Sequence, residues 1–185
     1  MDTLEQLRYP IGRMPPVLEA RADARQREAW IRSIETLPAR LRRAVKGFTR
    51  EQWETPYRPG GWTVRQLVHH LPDSHLNAYI RFKLALTEDE PTVKPYDEAA
   101  WAELADTPTT APEVSLALLE ALHARWVALL RAMPDAAYER TFYHPEHQRS
   151  FTLEQVLAQY AWHSEHHLGH ITALCEREGW TPAST

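Results

Sequence analysis

Two histidines, His163 and His167, stand four residues apart in a segment with the apolar pattern of a helix. A helix advances about 100° per residue, so side chains at i and i+4 lie over nearly the same point of its surface. Two imidazoles at this spacing are typical of helical metal sites, because neutral ring nitrogens bind zinc and other divalent transition ions. The pair is therefore a candidate for two ligands of one ion.

The apolar face of this segment indicates which of its histidines point inward. That face is formed by Leu153, Val156, Tyr160, Leu168, Ile171 and Leu174. From its centre His167 lies within about 30° and His163 lies about 70° away, whereas His170 and His166 lie at about 90° and 130°. His163 and His167 are therefore the inward pair. An inward histidine is more often a hydrogen-bonded core residue than a ligand. A third ligand from another helix is therefore needed to distinguish a metal site from a pair of structural histidines.

A second helical segment offers His69, His70 and His75. Its inward side is given by Val64, Leu67 and Leu71. His70 lies three residues from Leu67 and next to that side, whereas His69 points further toward its flank. His70 is therefore the preferred third ligand.

The remaining histidines have weaker patterns. His144 and His147 form an i, i+3 pair on a predicted loop. A solvated turn is their simpler interpretation, and they are also candidates to line a substrate. His123 follows Leu122 on a third helical segment and is predicted to be structural or exposed.

Four helices must hold these side chains in place. The apolar periodicity predicts them at about 21–48, 63–86, 113–133 and 152–178. Thr63 with Gln66, and Thr152 with Gln155, form capping boxes that start the second and fourth helices. Gly179 is expected to end the fourth helix, because glycine tolerates the left-handed conformation found there.

The segments between and before these helices complete the predicted fold. Residues 1–18 are rich in proline and are expected to form an extended arm, and residues 88–112 a long crossover or lid. Residues 135–151 are expected to contain a small hairpin. The apolar stripes are expected to include Leu76 and Ile80 on the second helix, and Val114 and Leu118 on the third. The fold class is therefore all-α, a four-helix bundle with long crossover connections in a single domain, residues 1–185.

The composition narrows the function classes. The chain has 185 residues, 43% of them hydrophobic and 25% charged, as in a packed globular domain. Its net charge of −4 is spread without a basic stripe, so we expect no nucleic-acid partner. We expect a cytoplasmic protein with no membrane association, since no signal pattern or long apolar run is present. The single Cys175 excludes an internal disulfide and a thiolate-rich zinc site.

Several longer motifs resemble those of one family. They are Gly60–His75, Tyr79–Leu86, Ala121–Trp126 and Tyr160–His167. From Tyr9 to the end of the fourth helix, the chain resembles the YfiT family of metal-dependent hydrolases within the DinB-like superfamily. The resemblance implies a four-helix bundle that packs as a homodimer, with one divalent ion per subunit, zinc first and nickel as the alternative. It assigns the ligands to His70, His163 and His167. Pro72 departs from the family pattern and leaves the local path of the second helix open.

Three neutral imidazoles leave a divalent ion an open position, as in catalytic zinc sites. The resemblance therefore favours a hydrolase in which a metal-activated water attacks a small-molecule substrate. Asp73 and Glu165 are the candidate proton carriers, and each can also be explained as a surface charge or as support for a ligand.

Two other function classes stay open at this point. The superfamily resemblance also includes transferases that place a low-molecular-weight thiol, such as bacillithiol, on the open metal position. The metal would then lower the pKa of the thiol and deliver a thiolate to an electrophile. The third class is a non-catalytic helical interaction module, in which the metal has a closed coordination shell and only stabilises the fold.

Overall fold

The structure, a computed structural model, describes residues 3–15 and 21–181. Four long helices carry the fold: α2 (Ala24–Ala44), α4 (Val64–Thr87), α7 (Pro112–Ala132) and α8 (Leu153–Glu178). The shorter helices are α1 (Leu4–Arg8), α3 (Arg50–Trp53), α5 (Glu98–Ala102), α6 (Asp106–Thr109) and a 3-10 helix (Asp135–Glu139). The strands β1 (Thr141–His144) and β2 (Arg149–Thr152) pair as an antiparallel hairpin. The predicted all-α four-helix bundle is confirmed.

The two helices that carry the candidate ligands start and end at local sequence signals. Thr63 accepts a hydrogen bond from the backbone N–H of Gln66, and the Gln66 side chain accepts one from the Thr63 backbone, which completes a capping box. Thr152 and Gln155 do the same at the start of α8. Gly179 ends α8 with a φ of +66°, a conformation that favours glycine. These caps fix where along each helix the histidines fall.

Two of the three connections between the long helices cross the bundle. Each of α2 and α4 packs against both α7 and α8, so α2 and α4 stand on opposite corners, as do α7 and α8. Residues 45–63 and 133–152 therefore join helices that are diagonal to each other. Residues 88–111 instead join the neighbours α4 and α7, and they contain α5 and α6, which pack on α4.

The core consists of two apolar clusters at opposite halves of the long helices. One contains Phe82, Trp126 and Leu157, and the other contains Leu41 and Leu67, among others. On α4 the apolar members stop at Leu71 and resume at Ala78, and on α8 they stop at Ala161 and resume at Leu168. Buried polar side chains lie in these two intervals, among them His75 in the first and His167 in the second, and the buried His70 lies just before the first, between Val68 and Leu71. Among the helices described, none combines the length and apolar character that crossing a bilayer requires.

Four positions of the predicted apolar stripes are wrong. Leu76 and Ile80 on α4 are 39% and 47% exposed, and Val114 and Leu118 on α7 are 56% and 47% exposed. Histidine occupies inward positions of both helices, so a stripe traced through apolar residues alone is rotated away from the true buried face.

The N-terminal arm differs in part from the predicted extended segment, because α1 forms within it. The arm then lies against α8 beside Gly169. A Cβ at residue 169 would come within 3.0 Å of Ile11 and 3.3 Å of Pro10, so glycine permits this close approach. Residues 1–2 and 16–18 of the predicted arm lie outside the described residues.

Candidate metal centre

Three histidine side chains meet between α4 and α8. His70 comes from α4, and His163 and His167 come from successive turns of α8. The Nε2 atom of His163 lies 3.4 Å from that of His70 and 3.0 Å from that of His167. One ligand atom from each of the three residues lies within 4.8 Å of the others. The structure thus brings together the three residues that the sequence singled out.

The two nitrogen separations that involve His163 fit a divalent ion. With zinc–nitrogen bonds of 2.0–2.1 Å, tetrahedral geometry requires neighbouring nitrogens about 3.3 Å apart, and octahedral geometry requires about 3.0 Å. Burial lowers the pKa of His70 to about 4 and holds the pKa values of His163 and His167 well below 6.5. All three rings are therefore neutral at pH 7, which is the form that binds metal. Their role as ligands stays a prediction.

The three rings face a cavity of about 540 Å³, a volume in the range of small-molecule sites. Its wall carries two arginines, Arg58 and Arg81, and two carboxyls, Glu98 and Glu146. The wall also carries aromatic and hydroxyl side chains, among them Tyr57, Trp62, Ser74, Tyr96, Tyr160 and Trp162. The histidine group therefore has an open side on which a small molecule could bind.

A pair of hydroxyl groups lies beside the histidines and was not predicted from the sequence. The Tyr160 hydroxyl donates to the carbonyl oxygen of Ser74 at 3.2 Å, and the Ser74 hydroxyl donates to Tyr160 at 3.4 Å. Burial raises the pKa of Tyr160, and it raises the pKa of Tyr96 to about 12. Both phenols stay protonated at neutral pH and can donate hydrogen bonds. The sequence signal that could have identified Tyr160 is its position on the apolar face predicted for α8.

The structure does not bring Glu165 to the histidine group, which corrects that candidate. Glu165 follows His163 by two residues, and two residues turn a helix by about 200°. Its carboxylate accepts hydrogen bonds from both Arg40 Nη atoms, at 2.6 and 2.8 Å, and from Ser33 at 2.7 Å. These donors, Arg40 first, lower the pKa of Glu165. Glu165 is therefore an ion-pair partner of α2 and no proton carrier at the site.

Asp73 is also placed away from the cavity. Burial, together with the nearby charge of Asp106, raises the pKa of Asp73 to about 6. Asp106 belongs to α6, and Asp73 is absent from the residues that line the cavity in the described chain. The carboxyls that do line it are Glu98 and Glu146, and burial and the neighbouring Glu146 raise the pKa of Glu98.

His144 and His147 both lie on the cavity wall, at the end of β1 and in the turn that follows. Their ring centroids are 4.5 Å apart, with His144 buried and His147 exposed. Contact of either residue with a substrate stays a prediction.

The lowered histidine pKa values predict an acid-labile metal-free protein. Burial lowers the pKa values of His70 and His123 to about 4, against about 6.5 in an unfolded chain. Between pH 6.5 and 4 the unfolded state binds more protons, so the free energy of unfolding must fall as the pH falls. From pH 7 to pH 5 each of these two residues should remove roughly 2 kcal/mol. The raised pKa values of Asp73 and Glu98 act in the opposite direction, but the buried histidines with lowered pKa values outnumber these two carboxyls.

Urea unfolding of the chelator-treated protein at pH 7 and pH 5 measures this loss. A free energy of unfolding that does not change between these two values would contradict the burial of neutral histidines. The His123→Gln variant should show a smaller dependence on pH than the wild type, because one of the buried titrating rings is removed.

Fold and site together define a four-helix-bundle protein with a three-histidine group on a small-molecule cavity. The model of the DinB superfamily matches residues 33–171. The chain therefore belongs to the DinB superfamily.

Comparison with individual relatives identifies the family within this superfamily. A protein of Bacillus subtilis (strain 168) named "Putative metal-dependent hydrolase YfiT" is 52% identical over 179 residues, which cover 97% of this chain and 99% of the relative. A relative of the same named class from Oceanobacillus iheyensis is 54% identical over 151 residues, covering 82% and 87%. The solved structure of YfiT from Bacillus subtilis, described by its unusual four-helix bundle topology, matches with a TM-score of 0.91 and 53% identity over 95% of this chain and 99% of that one. The resemblance to the YfiT family is confirmed.

Proposed function

We propose that this protein is a metal-dependent hydrolase of small molecules and that His70, His163 and His167 bind one divalent ion. The convergence of three neutral imidazole nitrogens on a cavity of about 540 Å³ carries this proposal. The names of the relatives support the same class. Zinc is the proposed ion and nickel the alternative, because imidazole binds both. When bound, such an ion acts as a Lewis acid and lowers the pKa of a coordinated water.

The residues around the cavity supply the rest of the chemistry. Tyr96 keeps its proton at neutral pH and can donate a hydrogen bond to an oxygen that gains negative charge during the reaction, whereas the proton of the Tyr160 hydroxyl is donated to the carbonyl of Ser74. Glu98 has a raised pKa and is the candidate to accept and return a proton. Arg58 and Arg81 can bind an anionic group of the substrate.

Hydrolysis of a panel of esters and amides by the zinc-loaded protein tests the proposal. We expect turnover that disappears after chelation and returns when zinc is added back. The Tyr96→Phe variant should retain the metal and lose roughly tenfold in kcat, because it lacks one hydrogen-bond donor to the reacting oxygen. Hydrolysis that is unaffected by chelation would contradict a metal-dependent reaction.

A metal-dependent thiol S-transferase is the second candidate, and the two arginines on the cavity wall favour it. A reaction that starts from a metal-activated thiol needs no carboxylate to deprotonate a water, so this candidate does not depend on Glu98. Low-molecular-weight thiols such as bacillithiol carry carboxylates, which Arg58 and Arg81 could bind. Turnover of bacillithiol with a chromogenic electrophile, without hydrolysis in the first panel, would replace the hydrolase by this class.

A non-catalytic module with a closed coordination shell is tested by cobalt substitution. The cavity beside the three histidines favours an open position, so azide should shift the visible spectrum of the cobalt protein. An unchanged spectrum would support the closed shell and contradict both enzyme classes.

A further inference from the structure

Behind His163, on the side away from the cavity, a chain of hydrogen bonds crosses the bundle. His163 Nδ1 lies 3.1 Å from His75 Nε2, and His75 Nδ1 lies 2.8 Å from His123 Nε2. His123 Nδ1 lies 2.6 Å from the carbonyl oxygen of Ile34. The four groups come from α8, α4, α7 and α2, so each long helix contributes one member. We call this set the histidine chain.

A proline makes the last acceptor available. In a helix the carbonyl of Ile34 would accept a hydrogen bond from the N–H of residue 38, but Pro38 lies inside α2 and has no N–H. The Ile34 carbonyl is therefore left without its usual helical donor, and the ring of His123 supplies one. Ile34 and His75 are 0% exposed and His123 is 1% exposed, so water does not compete for these hydrogen bonds.

The carbonyl end fixes the direction of every hydrogen bond in the histidine chain. A carbonyl oxygen can only accept, so His123 Nδ1 must carry a proton. Burial lowers the pKa of His123 to about 4, and its neutral ring therefore has a lone pair on Nε2. His75 must then donate from Nδ1 and accept at Nε2, and His163 must donate from Nδ1. The Nε2 atom of His163 is left with its lone pair directed at His70 and His167.

We propose that His75 and His123 are positioning residues that hold His163 in its Nδ1–H tautomer, with the Nε2 lone pair facing the metal position. This inference rests on the metal site of the proposed function. A metal-binding histidine is commonly oriented through its second nitrogen by a carboxylate or a carbonyl. In this protein two further histidines carry that support to a backbone carbonyl one helix beyond. Because the carbonyl cannot take up a proton, the histidine chain orients the ligand and does not conduct protons out of the site.

His167 provides a contrast within the same site. Its Nδ1 atom is buried and has no hydrogen-bond partner among the described residues. His163, which lies closest to both other ligands, is thus the ligand whose second nitrogen the fold controls.

Nitrogen-15 NMR of the metal-free protein at pH 7 tests the tautomers directly. We expect His75, His123 and His163 all to be neutral and protonated on Nδ1, the less common tautomer of histidine in water. In the His123→Leu variant, which changes no residue in contact with the cavity, a measurable fraction of His163 should move to the Nε2–H tautomer. Nε2–H tautomers at His75 and His163 in the wild type would overturn the proposal. This measurement needs no metal and is therefore independent of the proposed function.

Cobalt affinity measured by competition with a chelator tests the consequence for the site. His75→Leu should weaken cobalt binding about 10- to 100-fold, the range found when such support to a metal ligand is lost. His75→Gln should recover most of that loss, because its amide oxygen can still accept from His163 Nδ1. Circular dichroism confirms that each variant is folded before affinity is compared.

His69→Leu is the matched control, because His69 is also a buried histidine of α4 but pairs with Ser115 at 2.6 Å, outside the histidine chain. We expect its cobalt affinity to equal that of the wild type. Equal affinities for His75→Leu and the wild type, or a glutamine variant no better than the leucine variant, would overturn the proposal. A wild type that binds no cobalt while the three tautomers are as expected would refute the metal site alone.

Discussion

Replacing His163 with alanine should leave a folded protein that binds almost no metal. The Nε2 atom of His163 is the central one of the three, 3.4 and 3.0 Å from its neighbours, so its loss leaves two nitrogens from different helices. Two imidazoles bind a divalent ion far more weakly than three, and the content should fall from about one ion per chain to nearly none. Loss of a Lewis acid worth several kcal/mol should lower kcat/KM by about 10³-fold. Elemental analysis of protein purified without an affinity tag measures the first effect, and kinetics on the best substrate of the panel measures the second.

His147→Ala is the matched control for this variant. His147 lines the same cavity with an exposed ring and lies outside the three-histidine group. The His147→Ala variant should keep its full metal content, whatever the effect of the substitution on substrate binding. Glu165→Gln should also keep it, because the carboxylate pairs with Arg40 on the other side of α8. A His163→Ala protein with one ion per chain would refute the ligand assignment.

The part of the site that depends on spacing within one helix could be predicted from the sequence. His163 and His167 are separated by one turn, and this separation alone places them together once α8 forms. His70 required an inward face for α4, which Leu67 and Leu71 supplied. Both are fully buried in the structure. Sequence distance misled in the case of Glu165, because closeness to the ligands along a helix does not mean the same face.

The histidine chain could not be predicted in this way. His75 and His123 occupy inward positions of α4 and α7, but hydrophobic periodicity treats histidine as polar and moved both predicted stripes onto exposed aliphatic residues. The spacing along α7 could have indicated that His123 points inward. His123 lies three residues before Trp126 and four after Leu119, and both of these residues are fully buried. His75 and His123 are 48 residues apart in the sequence and lie on different helices. Their pairing also depends on the free carbonyl near Pro38, so no local sequence pattern predicts it.

The features of the fold that depend on local sequence could also be predicted, and those that depend on long-range packing could not. Capping boxes at Thr63 and Thr152 and the glycine at residue 179 act within one turn, and the helix ends they predict agree with the structure. The diagonal placement of α2 and α4 depends on which helix faces pack together over the whole chain, and the sequence indicated only that the connections were long. Pro38 removes one hydrogen bond of α2, yet the helix runs through it, and the carbonyl that it frees pairs with a side chain of another helix.

Replacing Trp126 with alanine should give the largest loss of stability of any substitution considered for this protein. Trp126 is 0% exposed, and its ring lies 5.6 Å from the rings of Phe82 and Tyr160 and 5.8 Å from that of His75. Removing a buried indole costs the transfer free energy of the side chain and leaves a cavity, so the free energy of unfolding should fall by about 3–5 kcal/mol. Urea unfolding of the metal-free protein at pH 7 measures this.

Trp101→Ala is the control of the same residue type, because Trp101 is 39% exposed on α5 and should lose about 1 kcal/mol or less. Trp126→Phe keeps an aromatic ring in place and should fall between the two alanine variants. Since the indole packs against His75, Trp126→Ala should also weaken cobalt binding in the protein that remains folded, whereas Trp101→Ala should not. Equal destabilisation by the two alanine variants would mean that Trp126 does not join the apolar core to the histidine chain.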